Sequence, residues 1–238
     1  MSRPTLRASA LRIPFTEAFS HAAATRVQTQ SVWVEVEDGA GNVGYGEACP
    51  REYVTRESLA GALAYIQAAA AEWCAEIRDL PSLRAWVKDH GEVIDAHPAA
   101  WSAVELAMLD LFARRAGVSI ENLLGLPPLT GVYTYTAVLG DASPAVFETA
   151  LARYVAAGFT DYKIKLGGRG AHDRAKTAAL RAAGIAPDRV RADANNLFRN
   201  ARDAVRYLDR LDYPFAALEE PVQARDLDGL VAVARACD

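Results

Sequence analysis

Hydrophobic and polar positions change their rhythm once along this chain, close to residue 127. In the first part, Val32, Val34 and Val36 alternate with Trp33, Glu35 and Glu37. That is the two-residue period of a half-buried strand, and Asp38 to Asn42 supplies the turn into a second strand, VGYGEA. Residues 5–13 read as a further strand. FTEAFSHAAATR, from Phe15 to Arg26, has no clean period and reads as a surface loop, with an active-site lid as the alternative. After Pro50 the pattern turns helical. Leu59, Leu63, Ile66, Ala70 and Trp73 recur at helical spacing within 56–78, and further helices are predicted near 82–89 and 98–116. The last ends in Arg114 and Arg115 before Gly117, as a C-terminal turn should. SIENLLG adds a short helix capped by Ser119. Leu126, Pro127 and Pro128 then mark a boundary. Residues 1–127 therefore form an α+β unit, and residues 128–238 a second one.

In the second part, strand and helix alternate. VYTYTAV precedes a helix with Ser143 as N-cap, Pro144 at its first position and Gly158 at its end. TDYKIKL, DRVRADAN and PFAALEEP are strands, each followed by a helical stretch. Four β–α units at roughly 25–30-residue spacing predict a parallel sheet with crossover helices. No GxGxxG phosphate-binding pattern is present, which favours a TIM-type (β/α) barrel over a dinucleotide fold. The glycines of KLGGRG are explained by a sharp exit from the strand.

Composition narrows the class. The chain has 26 Lys+Arg against 30 Asp+Glu, a net charge of −4, and its basic residues are scattered, which argues against nucleic acid as a partner. It lacks a run of about 18 apolar residues, so no membrane span is expected. Its N-terminus does not read as a signal peptide. Three widely separated cysteines, Cys49, Cys74 and Cys237, suit a reducing cytoplasm and neither a zinc site nor thiol chemistry. His90, His97 and His172 sit in no motif and are expected at the surface or at helix ends.

The candidate chemistry lies at the strand ends, where such barrels place it. Lys163 and Lys165 are two apart on one strand and so share a face. Like charges that close predict at least one lysine titrating well below about 10.4, fit to act as a base; two outward lysines on a solvated edge strand are the alternative. Asp193 follows Lys165 by 28 residues and Glu219 follows Asp193 by 26, one β–α unit each. The expected rim therefore carries Thr136, then Lys163 and Lys165, then Asp193 and Asn195, then Glu219 and Glu220. Hard oxygen donors from separate strands suit Mg²⁺; a rim of mutually compensating ion pairs is the other reading.

The order KIK, DAN, EEP behind a cap containing GYGEA resembles the enolase superfamily, muconate-lactonizing subgroup. That resemblance implies an N-terminal α+β capping domain followed by the first four or so β–α units of a (β/α)7β barrel. It implies Mg²⁺-dependent removal of a proton next to a carboxylate, through an enolate. Lys165 is then the base, Lys163 its tuner, Asp193 and Glu219 the metal ligands, and Asn195 and Glu220 the groups that support them. The exit implied is racemisation or epimerisation of a dipeptide or amino-acid derivative, with muconate-type cycloisomerisation or an o-succinylbenzoate synthase-like dehydration as alternatives. Thr136 resembles a substrate-contacting threonine of dipeptide epimerases, though β-propensity alone also explains it. Arg26 and Tyr53, with Phe19 and His21, are expected to line the substrate side. A small-molecule carboxylate substrate and a homo-oligomeric full-length enzyme are implied too. The third carboxylate ligand and an opposing lysine belong past Asp238, so the chain is expected to be a C-terminally truncated piece that binds metal poorly and does not epimerise alone. A Schiff-base aldolase using either lysine, or an inactive remnant, are the rival readings.

Overall fold

Alternating valines build the first sheet. Strands β1 (Thr5–Leu11), β4 (Ser31–Glu37) and β5 (Val43–Ala48) pair antiparallel in the order β1-β4-β5, and Val32, Val34 and Val36 are fully buried on one face. The computed structural model describes residues 3–21 and 24–237. The chain divides into two compact units, Met1–Thr16 with Val27–Gly131, and Glu17–Arg26 with Val132–Asp238.

In the first unit the valine face is covered by α1 (Leu59–Glu76) and α4 (Pro98–Ala116). GYGEA has a packing reason. A Cβ on Gly46 would lie 1.9 Å from the Ala103 carbonyl oxygen, and one on Gly44 2.2 Å from that of Ala107. Only glycine lets β5 approach the α4 backbone that closely. α4 opens without a side-chain cap of its own. Instead the buried carboxylate of Glu57 accepts from the backbone N–H of Ala99 and Ala100, at 2.7 and 3.0 Å, satisfying donors that the helix leaves open. The helices α2 (Leu80–Asp89), α3 (Gly91–Ala96) and α5 (Ile120–Leu124) complete the unit, with Trp73, Trp86 and Trp101 packed against one another. Ser119 caps α5 as expected. Among the described residues no helix is long and apolar enough to cross a membrane.

The second unit holds the alternation predicted for it. β6 (Thr136–Leu139), β7 (Asp161–Lys165), β8 (Val190–Asp193) and β9 (Ala217–Glu219) form a parallel sheet in that order. They alternate with α6 (Pro144–Ala156), α7 (Gly170–Ala182), α8 (Ala201–Leu211) and α9 (Leu227–Cys237). The core is formed by Ile164, Leu166, Val190 and Ala192 with Phe147, Leu151 and Leu180 of the helices.

Three expectations need correction. The described residues of Phe15–Arg26 are not a loop: β2 (Pro14–His21) and β3 (Ala24–Gln28) form a two-stranded sheet. Small residues hid the strand period there, and backbone pairing supplies the order that side-chain patterning does not announce. VYTYTAV is a strand only from Thr136, and the aromatic side chains Tyr133 and Tyr135 before it are exposed. β-propensity without a ladder partner makes no strand. Ser143 holds the N-cap position of α6 but makes no side-chain cap bond.

Candidate active site

Parallel pairing assembles the site. Lys165 stands level with Asp193, and Asp193 with Glu219, on three adjacent strands. Level residues in a parallel sheet project to the same face, and Lys163, two residues before Lys165, shares it. The ends of β7, β8 and β9 thus bring two ammonium groups and two carboxylates together. Asp193 is 1% exposed and Lys165 8%.

One oxygen is shared by both lysines. Asp193 Oδ2 accepts from Lys165 Nζ at 2.5 Å and from Lys163 Nζ at 2.9 Å, and Lys163 Nζ also donates to Glu219 Oε2. Asn195 ties the group together. Its Oδ1 accepts from Lys165 Nζ at 3.0 Å, its backbone N–H donates to Asp193 Oδ1 at 3.0 Å, and its Nδ2 donates to Glu220 Oε2 at 3.3 Å. Asn195 and Glu220 both hold a left-handed backbone, at φ +46°. That conformation costs a non-glycine residue on the order of 1 kcal/mol or more. Backbone bonds from Ala194 N–H to Glu219 O and from Asn196 N–H to Glu220 O hold the two strand ends in place.

The electrostatics correct the simplest expectation for the lysine pair. Burial by itself would lower the Lys163 pKa, but its bonds to Glu219 and Asp193 outweigh that and raise it above the ordinary lysine value. At Lys163 these carboxylates outweigh the repulsion of the neighbouring ammonium. Burial pushes the Asp193 carboxyl up, yet hydrogen bonds from Lys165 and Lys163 hold it below the usual carboxylate range. A Schiff-base role for Lys163 needs a neutral amine, and this pairing works against one.

Asp193 and Glu219 converge on a single cationic centre, the Lys163 ammonium, so the same oxygens fit a hard divalent cation. Among the described residues no group of three His, Cys, Asp or Glu side chains gathers to hold a metal. Two carboxylates are what the site offers, and Mg²⁺ is commonly held by one or two carboxylates together with water and substrate oxygens.

The remaining predicted residues do not gather as expected. Thr136 is the first residue of β6, level with Asp161, while Val138 is level with Lys163. It faces the lysine side but lies at the start of its strand, not at the expected strand end. Arg26, on β3, groups with the second unit, is half-buried, and has a buried Nη2 without a hydrogen-bond partner. Tyr53 belongs to the first unit, in the exposed turn after Pro50. Phe19 and His21 lie on β2, with side chains outside the described residues. His90 and His97 stand at helix ends, stacked on Trp86 and Tyr65. His172 lies in the first turn of α7, a helix end as expected, and is half-buried, with its Nδ1 enclosed and unpartnered. Sequence reasoning missed a buried polar cluster behind β7, made of Asp141, Asp173, Lys176 and Tyr207. Its one visible trace was an acid and a lysine three apart on α7.

Residues 8–125 match the family described as "Mandelate racemase / muconate lactonizing enzyme, N-terminal domain", and residues 146–238 that described as "Enolase C-terminal domain-like". The chain is 34% identical to a hydrophobic dipeptide epimerase of Enterococcus faecalis over 93% of its length, covering 61% of that relative. It is 28% identical to the L-Ala-D/L-Glu epimerase of Bacillus subtilis over 98% of its length, covering 64% of it. A solved dipeptide epimerase from Enterococcus faecalis, in complex with Mg and the dipeptide L-Leu-L-Tyr, superposes with a TM-score of 0.80 at 32% identity, over 99% of this chain and 66% of that one. The chain thus spans a little over three fifths of the length of the curated relatives it matches. What matches is an N-terminal capping domain and a partial (β/α) barrel.

Proposed function

The chain belongs to the mandelate racemase / muconate lactonizing enzyme family of the enolase superfamily, and on that premise we propose that it serves Mg²⁺-dependent abstraction of a proton α to a carboxylate. The reaction proposed is epimerisation of a dipeptide, in a (β/α)7β barrel of which this chain supplies four β–α units. One observation carries the reading: Lys165, Asp193 and Glu219 stand at one level on adjacent strands with Lys163 on the same face. The relatives named above act on dipeptides, which favours that substrate class.

A proton next to a carboxylate is weakly acidic because its loss puts a second negative charge on the group. Lys165, as its neutral amine, takes that proton and becomes the ammonium that Asp193 and Asn195 hold. Asn195 and Asp193 fix the Lys165 Nζ from two sides, so little geometry remains to be organised when the substrate arrives. The Lys163 ammonium, on the same face, supplies positive charge where negative charge builds on the substrate carboxylate. Asp193 and Glu219 would hold Mg²⁺, with Asn195 and Glu220 fixing their backbone. Bound there, Mg²⁺ supplies electrostatic stabilisation of the carboxylate oxygens as charge accumulates on them. Arg26, with its unpartnered buried nitrogen, is proposed to receive an anionic or carbonyl group of the substrate. Thr136 and Tyr53 remain proposals for substrate contact, and a cytoplasmic location accords with the chemistry.

The test is α-proton exchange. A panel of dipeptides is incubated with Mg²⁺ and a full-length protein carrying this sequence in deuterated water, and deuterium at the α-carbon is followed by NMR. Incorporation that disappears in Lys165→Met supports the reading. Incorporation indifferent to Lys165 contradicts it.

A further inference from the structure

Lys176 is fully buried on α7, and each of its three N–H donors has a partner. Nζ donates to Asp141 Oδ1 at 2.7 Å, to Asp173 Oδ1 at 2.8 Å, and to the backbone carbonyl of Lys165 at 2.8 Å. Asp173, also fully buried, accepts from the backbone N–H of Gly168 at 3.0 Å and of Gly167 at 3.1 Å, and from the Tyr207 hydroxyl of α8. Asp141, in the loop after β6, also accepts from Arg169 at 2.8 Å. Two carboxylates therefore face two cations, and the cluster is neutral as a whole. Burial and the Asp173 carboxylate raise the Tyr207 pKa, keeping its hydroxyl a donor.

We infer that this network is the device that positions Lys165, with Lys176 and Asp173 as positioning residues for the base. The inference rests on the reading of Lys165 as the base that takes the α-proton. The chain between the base and α7 is held at successive atoms: the Lys165 carbonyl by Lys176, the Leu166 N–H by the Asp193 carbonyl at 2.9 Å, and the N–H groups of Gly167 and Gly168 by Asp173. The backbone on which Lys165 rides thus has one exit path. Packing alone does not require this. A buried ion pair is weak support for stability, since an apolar cluster of the same volume often holds helices as well. What hydrogen bonds add is direction, and here they are aimed at the four residues from the base onward. The glycines of KLGGRG fit the same picture: a Cβ on Gly167 would lie 2.5 Å from Asp141 Oδ2, so Gly167 makes room for the network.

The experiment uses a full-length protein carrying this sequence, as wild type, Lys176→Met and Lys176→Arg. Amide hydrogen exchange is read residue by residue, and Mg²⁺-dependent α-proton exchange is read as separate kcat and KM. In Lys176→Met, protection at Leu166, Gly167 and Gly168 is expected to fall about tenfold or more while Ile164 and Ala192 keep theirs. kcat is expected to fall about tenfold or more with KM nearly unchanged, because a base displaced by about 1 Å loses rate before it loses binding. Lys176→Arg is expected to recover part of both. Unchanged protection at 166–168, or loss spread evenly over the second unit, overturns the inference. So does unchanged kcat in a variant that has lost the local protection. If that wild-type protein shows no α-proton exchange, the proton-abstraction reading fails while the amide readout still decides whether Lys176 fixes this backbone. Should Lys176→Met not fold, Tyr207→Phe removes a single bond to Asp173 and carries the same readouts and the same overturning results.

Discussion

Asp193 Oδ2 lies within hydrogen-bond reach of both lysines, and that one oxygen organises the site. Removing Lys165 as Lys165→Met should lower α-proton exchange by about 10²–10⁴, the usual contribution of a positioned general base. Asp193→Asn keeps the shape but gives up the charge that pairs two ammonium groups, so Mg²⁺ binding followed by calorimetry should weaken about tenfold or more. The positions of Lys165, Asp193 and Glu219 were legible in the sequence because β–α spacing returns side chains to one level. The upward direction at Lys163 was not, because it depends on which carboxylate oxygens reach that amine. A different residue gives the clearest pH prediction. Hydrogen bonds from Asn42 and Arg115 hold the Asp38 carboxyl well below the usual range. A depressed carboxyl contributes stability that is present above the unfolded value of about 3.9 and is lost as pH falls toward the folded one. Asp38→Asn should therefore melt below wild type at neutral pH, and the gap should close as the pH is taken below about 4.

At the scale of elements, β5 and α4 are joined by glycine on one side and small alanines on the other. Gly46→Ala would push a methyl into the Ala103 carbonyl and should cost about 1–3 kcal/mol or more, read by thermal unfolding. Glu57 spans 42 residues to reach the start of α4, and Glu57→Ala leaves two buried N–H groups open at a cost of about 2 kcal/mol. GYGEA was legible as a motif but not as a packing device, since the alanines that demand the glycines lie more than fifty residues later. Elements with strong local signals, such as α1, α4 and β4, were read close to their true bounds. The β2–β3 pair was not, because its order comes from backbone pairing that leaves little mark in residue type. Thr136 was misplaced for a related reason: the exposed VYTY segment extended the predicted strand backwards and shifted its apparent end.

For the molecule as a whole, one change of hydrophobic rhythm marked where the β–α alternation begins, but not that Glu17–Arg26 groups with the second unit or that residues 128–131 group with the first. The four-stranded parallel sheet places the proposed base Lys165, Lys163 and two metal-ligand candidates on one face. The network behind β7 lay outside sequence reasoning because its members come from a loop and two helices, in three successive β–α units. The central claim is that Lys165 removes a proton α to a carboxylate. It is tested most directly by following deuterium into the α-position of the dipeptides of the panel in deuterated water with Mg²⁺, for a full-length protein carrying this sequence as wild type and Lys165→Met side by side. The account predicts incorporation by wild type that is lost on chelation of Mg²⁺ and lost in Lys165→Met. Equal incorporation by the two proteins, or none by wild type across the dipeptide panel, would contradict it.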